Sequence, residues 1–299
     1  MNATTLETGR RILRKTYFVE AKNIEPQYKW LVSKHDETTQ TKELYKQLKG
    51  FSMAVQTGDG DNVSYEDLAA IYTLTLTPVV FTKGTRFSPM MKYTDQYGII
   101  AGMTAQFAMA HEHKKNQVTA NMDNLGFTST TYGVNSEALY STSHDMGGVT
   151  YSNTPASAGA FGPNTAKAHI ISIRKQKSAQ DEPLPYSGTV LVKLPVDLEP
   201  TGVEVIKSML LANTANNNTN EFLRNRLEMK VCDYYTSTTA HFYQAKDYPI
   251  KGTVLLDSMP YDIKKLEQRD EDGMHPWISM SAYQVGWFDA HGTYGDAGV

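Results

Sequence analysis

The sequence predicts a mixed fold of the α+β class, and three observations carry that reading. Apolar residues recur at helical spacing through residues 94–126, and at a period of two through Tyr72, Leu74 and Leu76. Short β-rich runs such as "TVLVKLP" and "PWISMSAYQVGWF" fill the second half of the chain. Helical and strand segments follow no regular βαβ rhythm, and no segment repeats another. The 299 residues are 40% hydrophobic and 20% charged, enough apolar material for one large domain or two modest ones.

The elements are justified in order. The first ~35 residues scatter Tyr17, Phe18, Tyr28 and Trp30 among charges without a sustained period. They read either as an arm whose aromatics need another surface or as a segment packed on its own domain. Residues 36–49, "DETTQTKELYKQLK", open with acids and close with lysines, which predicts a short helix with Leu44 and Leu48 on one face. The following stretch to residue 88 is a long β-rich excursion, with turn chemistry in "TGDGDN" and an edge or bulge marked by Pro78. Residues 94–126 predict a helix of roughly 45 Å, capped by Asp95 and ended by Gly126, with Ile100, Met103, Phe107, Ala110, Val118, Met122 and Leu125 on its apolar face. Gly98 and Gly102, four apart, are placed to let a neighbouring backbone approach.

After a polar loop, "NTAKAHIISIRKQK" predicts a helix burying Ala166, Ile170 and Ile173. A strand at "TVLVKLP" leads into a third helix, "EPTGVEVIKSMLLA", with Pro200 near its start and Val203, Ile206, Met209 and Leu210 buried. "LEMKVCDYY", "AHFYQA" and "GTVLLDSMP" are strands, and the aromatic-rich C-terminal run is another.

Several function classes fall away. A net charge of −3 and a pI near 6.2 give no basic excess for tight nucleic-acid or anionic-membrane binding. Cys232 is the single cysteine, so no intrachain disulfide or multi-cysteine metal site forms, and its strand context predicts a buried, inert thiol in a reducing compartment. The first residues have no continuous apolar core of a secretory signal, and no run of ~18 apolar residues spans a membrane. "STSHD" sets Ser143, His144 and Asp145 side by side, the residue types of a hydrolytic triad. A triad draws its members from separated segments aimed at one point, and the flanks lack a nucleophile elbow, so a polar loop is expected. In "HEHKK", His111 and His113 lie two apart, roughly 200° around a helix, which fails the zinc-peptidase spacing and predicts a solvated charged face. "TGDGDN" and "QRDEDG" lack the calcium-loop spacing, and no phosphate-binding glycine loop occurs. No catalytic residue, cofactor or metal site is expected.

The succession "FTKGTRFSPMMKYTDQYGIIAGM", a long helix, "NSEALYSTSHDMGGVTYSN" and a helix leading to "EPLPYSGTVLVKLPVDLEPTGVEVIKS" resembles the major capsid (head) proteins of tailed bacteriophages, nearest the Mu-like major head subunit group. The likeness spans roughly residues 70–260 and lies in order and texture. It implies a Hong Kong 97-type fold: an N-terminal arm (1–49), an extended β-hairpin loop (50–88), a peripheral domain (89–190 with its spine helix at 94–126, and the C-terminal strands 265–299), and an axial domain (191–264). It implies a non-enzymatic subunit that self-assembles into pentamers and hexamers of an icosahedral head around double-stranded DNA held non-specifically, in a virion assembled in the bacterial host cytoplasm. Implied partners are other copies of the chain, a portal, in some members decoration proteins, and either a separate scaffolding protein or none, since there is no obvious room before the arm for a cleaved one; no membrane is implied. Tyr17, Phe18 and Trp30 are the candidate intersubunit contacts. Lys46, Lys49 and Lys83 lie in or near the loop, but no residue pattern transfers the Lys–Asn crosslink of some members. Two alternatives remain: an encapsulin-like compartment of the same fold holding protein cargo, and a soluble hydrolase using His144 or His241.

Overall fold

The computed structural model describes residues 24–58, 62–63, 65–88, 90, 99–208, 220–266 and 274–299. Two four-stranded sheets organise the chain. The first has the order β1–β10–β11–β4, from Lys34–Glu37 (β1), Thr253–Lys265 (β10), His275–Trp287 (β11) and Val79–Phe87 (β4). β1 runs parallel to β10, and the other pairs are antiparallel. The second has the order β12–β9–β7–β8, from Thr293–Asp296 (β12), His241–Ala245 (β9), Val190–Pro195 (β7) and Leu227–Cys232 (β8), with β7 and β8 parallel. Glu43–Leu48 (β2) and Ala70–Leu76 (β3) make a two-stranded antiparallel ribbon, and His144–Asp145 (β5) pairs with Thr150–Tyr151 (β6). The helices are α1 (Tyr28–Leu31), α2 (Ile99–Asn124), α3 (Pro163–Arg174), α4 (Glu199–Lys207) and α5 (Glu221–Arg226).

Most strands follow from their patterns. In β3 the alternation buries Leu74 and Leu76 and exposes Thr73 and Thr75. Pro78 lies in the link between β3 and β4, and β4 is a sheet edge, where a missing N–H does no harm. β7 is buried along its whole length at the centre of its sheet, its one polar residue, Lys193, being paired with Asp123. Two cores result. One joins β3, α2, β10 and β11 through Leu74, Leu76, Met122, Leu255, Tyr283 and Val285. The other packs α3, α4 and α5 on β7 and β9 through Ile170, Ile173, Val192, Leu194, Ile206 and Leu223.

Three expectations are corrected. Residues 36–49 form no helix: they supply the end of β1 and all of β2, because hydrogen-bonded pairing with β10 and β3 outweighs the weak helical bias of a charge gradient. Leu44 and Leu48 are exposed, while Tyr45 and Gln47 between them turn inward. Helix α4 ends at Lys207 and buries Gly202, Val205 and Ile206, leaving Val203 exposed. Gly202 presses on Met229 and Leu194, so the helix approaches its sheet through its smallest residue and rotates Val203 outward. Met209 and Leu210 lie outside the described residues.

The third correction concerns α2, about 39 Å long. Among its described side chains, the residues it buries are Ala108, His111, Glu112, Lys115, Asn116, Thr119, Ala120, Met122 and Asp123, an i, i+3, i+4 stripe that is mostly polar. The charged "HEHKK" segment is therefore not simply solvated: His113 and Lys114 face out, and His111, Glu112 and Lys115 face in. Phe107, Ala110 and Val118 flank the buried stripe half-covered, and Leu125 is exposed. Asp95, Gly98 and the calcium-like "QRDEDG" lie outside the described residues, as does the centre of "TGDGDN"; the side chains of Ile100, Gly102 and Met103 are likewise not described. Gly126 follows the helix end at Asn124, and packing calls for a glycine there: a Cβ would sit 2.7 Å from the Tyr140 ring.

Candidate assembly surface and buried polar clusters

The β2–β3 ribbon is the base of an excursion whose described tip residues make no regular strand. Along it Leu44, Leu48, Phe51, Met53, Val55, Val63, Tyr65 and Leu68 are exposed, Val55 at 72% and Tyr65 at 91%. Apolar side chains concentrated on one projecting segment mark an interaction surface rather than ordinary scatter. Val79 and Val80, half exposed on edge strand β4, continue it onto the body.

Of the candidate contacts, Tyr17 and Phe18 lie outside the described residues. Trp30 is half-buried against its own chain, beside Leu31, Ala120 and Cys232. Tyr28 is buried as well, with its N–H donated to Asn116 Oδ1 at 3.0 Å. Cys232 is the buried thiol its strand predicted, and burial pushes its pKa up to about 12.

Two residues of the polar stripe of α2, His111 and Lys115, are met by distant strands. His111 Nδ1 and Nε2 each lie 2.8 Å from a serine hydroxyl, those of Ser281 and Ser279. Burial lowers the His111 pKa, so the ring is neutral among these hydroxyls. Lys115 donates to Asp257, and its ammonium sits over Tyr28, Tyr283 and Tyr261 at 4.4, 5.6 and 5.8 Å from the ring centres. Burial alone would raise the Asp257 pKa, but His35 and Lys115 hold it below the usual carboxylate value. In the last turn of α2, Asp123 gathers Lys193 from β7 and the hydroxyls of Tyr140 and Tyr235.

The triad-like loop is a structural clasp. In β5, His144 points inward and Asp145 outward. His144 Nδ1 faces Glu137 Oε2 at 3.0 Å, and Nε2 faces the Leu139 carbonyl at 3.1 Å and Asn153 Oδ1 at 3.0 Å. Both ring nitrogens meet acceptors from the same loop, so neither is aimed at a serine. Ser143 is exposed, with its amide on Ser141 Oγ. Asp145 accepts from Tyr72 Oη at 2.6 Å and from the Gly148 amide, which locks the hairpin to β3. Gly147 and Gly148 make the turn at φ +73° and +110°, a backbone that L residues with side chains rarely adopt.

A second histidine cluster was not visible in the sequence. His169 of α3, His241 of β9 and Asp296 of β12 converge, each buried, with one donor atom apiece all within 4.8 Å. Asp296 Oδ2 lies 3.3 Å from His169 Nε2 and 3.8 Å from His241 Nε2. The three positions are far apart in sequence, and only the pairing of β12 with β9 brings two of them together.

No protein-family model matches the chain, and no curated protein matches it. Solved structures do. The procapsid of bacteriophage JBD30 superposes with a TM-score of 0.55 over 99% of this chain and 76% of that one, at 10% identity. The capsid of the empty GTA particle gives 0.59 over 91% and 89%, at 9% identity. The fold is that of a Hong Kong 97-type capsid subunit. A virus-like particle from Pyrococcus furiosus shares this capsid fold, with a TM-score of 0.54 over 95% of this chain and 98% of that one, at 7% identity.

Proposed function

We propose that this chain is the major subunit of a tailed-phage-type head, assembling into pentamers and hexamers of an icosahedral shell that encloses double-stranded DNA. The observation that carries the reading is the apolar excursion between β2 and β3, which a subunit with this capsid fold exposes and its own body leaves uncovered. Each contact it makes with a neighbour can be modest, because many act together once a lattice closes. A scaffolding protein, a portal and decoration proteins belong to the same proposal, as does a location in the virion after assembly in the host cytoplasm. Kinship with the Mu-like group rests on sequence texture alone.

The proposed layout keeps residues 1–49 as arm, 50–88 as extended loop, 89–190 with 265–299 as peripheral domain and 191–264 as axial domain. The β2–β3 pairing supports a loop whose base begins at Glu43. β10 pairs with β11 across the 264/265 boundary, and β12 joins the sheet of β7 and β9, so the two domains share strands. Tyr17 and Phe18 remain proposed contacts, and Trp30 one only through the part of its ring that its own chain leaves open.

The match to the Pyrococcus furiosus particle, which covers nearly all of that chain, favours a second reading as the shell of an encapsulin-like compartment. Size-exclusion chromatography with negative-stain microscopy tests both. Shells, hexamers or pentamers support assembly, and nucleic acid or enzyme cargo inside purified particles decides between the two. A chain that stays monomeric at every concentration and salt level, even with a scaffolding partner, overturns both.

A further inference from the structure

We propose that His169, His241 and Asp296 form a structural binding site for a divalent cation of the zinc type. Three features carry it, none of which depends on the assembly reading.

The first is the donor set. Two imidazoles and one carboxylate suit zinc and its neighbours, whereas calcium and magnesium take oxygen shells. The second is spacing. Tetrahedral zinc with bonds near 2.0–2.2 Å holds its ligand atoms about 3.4 Å apart. Asp296 Oδ2 already stands 3.3 Å from one imidazole nitrogen and 3.8 Å from the other. The three donor atoms all lie within 4.8 Å of one another, so closing the set on a metal draws the two imidazoles together.

The third feature is an unsatisfied atom. His241 Nδ1 faces the Thr239 carbonyl at 3.3 Å, which assigns the ring proton to Nδ1. Nε2 then carries a lone pair, and it has no hydrogen-bond partner although His241 is fully buried. What it faces is a carboxylate oxygen. Two electron-rich atoms turned toward each other in a buried place are costly unless a cation lies between them. The surroundings already orient two of the three ligands, while His169 Nδ1 is buried without a partner. Asp296 Oδ1 accepts from the Gly298 and Gly159 amides at 2.9 and 3.1 Å, which aims Oδ2 at the histidines. Ring N–H to carbonyl, and carboxylate to amide, are the outer contacts that metal ligands characteristically make.

Tyr243 lies edge-on to both imidazoles at 5.0 and 5.7 Å, and Phe161 edge-on to His241 at 5.2 Å, so the site is walled by rings. The chain supplies three ligands, so a water would complete the tetrahedron; the burial of all three side chains is what marks the site as structural. Bound zinc would pin α3 and the C-terminal strand β12 to β9.

The test uses the full chain, saturated with zinc, dialysed, and measured for metal by elemental analysis, with the melting temperature recorded with and without chelator. One zinc per chain and a melting temperature that chelation lowers are expected. His241→Gln and Asp296→Asn should weaken zinc binding at least about tenfold while far-UV circular dichroism stays unchanged. A folded wild-type chain that retains no zinc overturns the site, and so does a folded variant that binds as tightly as wild type. Should the variants fail to fold, X-ray absorption on the zinc-loaded wild type decides. Two imidazole nitrogens and a carboxylate oxygen are expected, and a sulfur ligand from Cys232 or an all-oxygen shell would sink the proposal.

Discussion

The Nζ of Lys193 lies 3.2 Å from Asp123 Oδ2, both side chains almost wholly buried, and donates also to the Leu31 carbonyl at 2.6 Å. One ion pair thus ties α2, β7 and α1 together, and Tyr140 and Tyr235 complete the shell of Asp123 with hydroxyl donors at 2.7 Å. Removing one member leaves the other charge buried without its counterion, which costs about 3–5 kcal/mol. Asp123→Ala should therefore lower the urea midpoint of the unassembled chain by that equivalent, and Lys193→Met should cost a comparable amount. A loss below about 0.5 kcal/mol, typical of a surface site, would show that the pair does not hold the helix to the sheet.

The second prediction separates stability from assembly. Val55→Asp and Tyr65→Ser alter side chains that touch little in their own chain, so unfolding of the isolated subunit should shift by no more than about 0.5 kcal/mol. Particle formation, followed by light scattering and microscopy, should drop sharply, since a charge on a desolvated contact recurs at every copy. Normal particles from the double variant would remove the apolar excursion from the interface.

The loop of Ser143 and His144 supplies the third. His144→Ala removes the ring's hydrogen bonds to Glu137, the Leu139 carbonyl and Asn153, each of which keeps another donor, and a ring stacked 5.1 Å from Tyr151, so it should destabilise by about 1–3 kcal/mol. Ser143→Ala should be neutral. A hydrolytic activity abolished by Ser143→Ala at unchanged melting temperature would restore the enzyme reading.

These cases show what the sequence could and could not disclose. β3, β7 and α3 were readable because their apolar residues alternate, run together or recur at helical spacing, and burial followed that pattern. The buried face of α2 was not, because its polar residues are paired with Ser279, Ser281 and Asp257, all well over a hundred residues downstream. A polar stripe reads as solvated until its partners are known. The same applies to His169, His241 and Asp296, which lie on a helix and two strands with no local motif. Residues 36–49 failed differently: their helical signal was charge placement, worth a few tenths of a kcal/mol per charge, against two sets of strand hydrogen bonds. In the "SHD" stretch, strand geometry sends His144 and Asp145 to opposite sides, which adjacent positions in an extended chain imply.

The last prediction concerns pH and rests on His291. Burial by itself would lower its pKa, but the Asp289 carboxylate 2.5 Å from Nδ1 and the Lys177 carbonyl 2.8 Å from Nε2 raise it above 6.5. The ring also stacks on Tyr151 at 4.3 Å, a neutral neighbour whose own hydroxyl burial pushes far up. The protonated form is favoured by folding, so its stabilisation is fully present below pH 6.5 and is lost as pH rises through the higher folded value. A single proton limits that slope to about 1.4 kcal/mol per pH unit. Melting temperatures of the unassembled chain measured from about pH 6 to pH 9 should fall toward the alkaline end, and His291→Gln, which keeps a donor but cannot titrate, should flatten the curve. An unchanged slope in His291→Gln would mean that Asp289 does not hold the proton on the ring, and that the alkaline loss has another source.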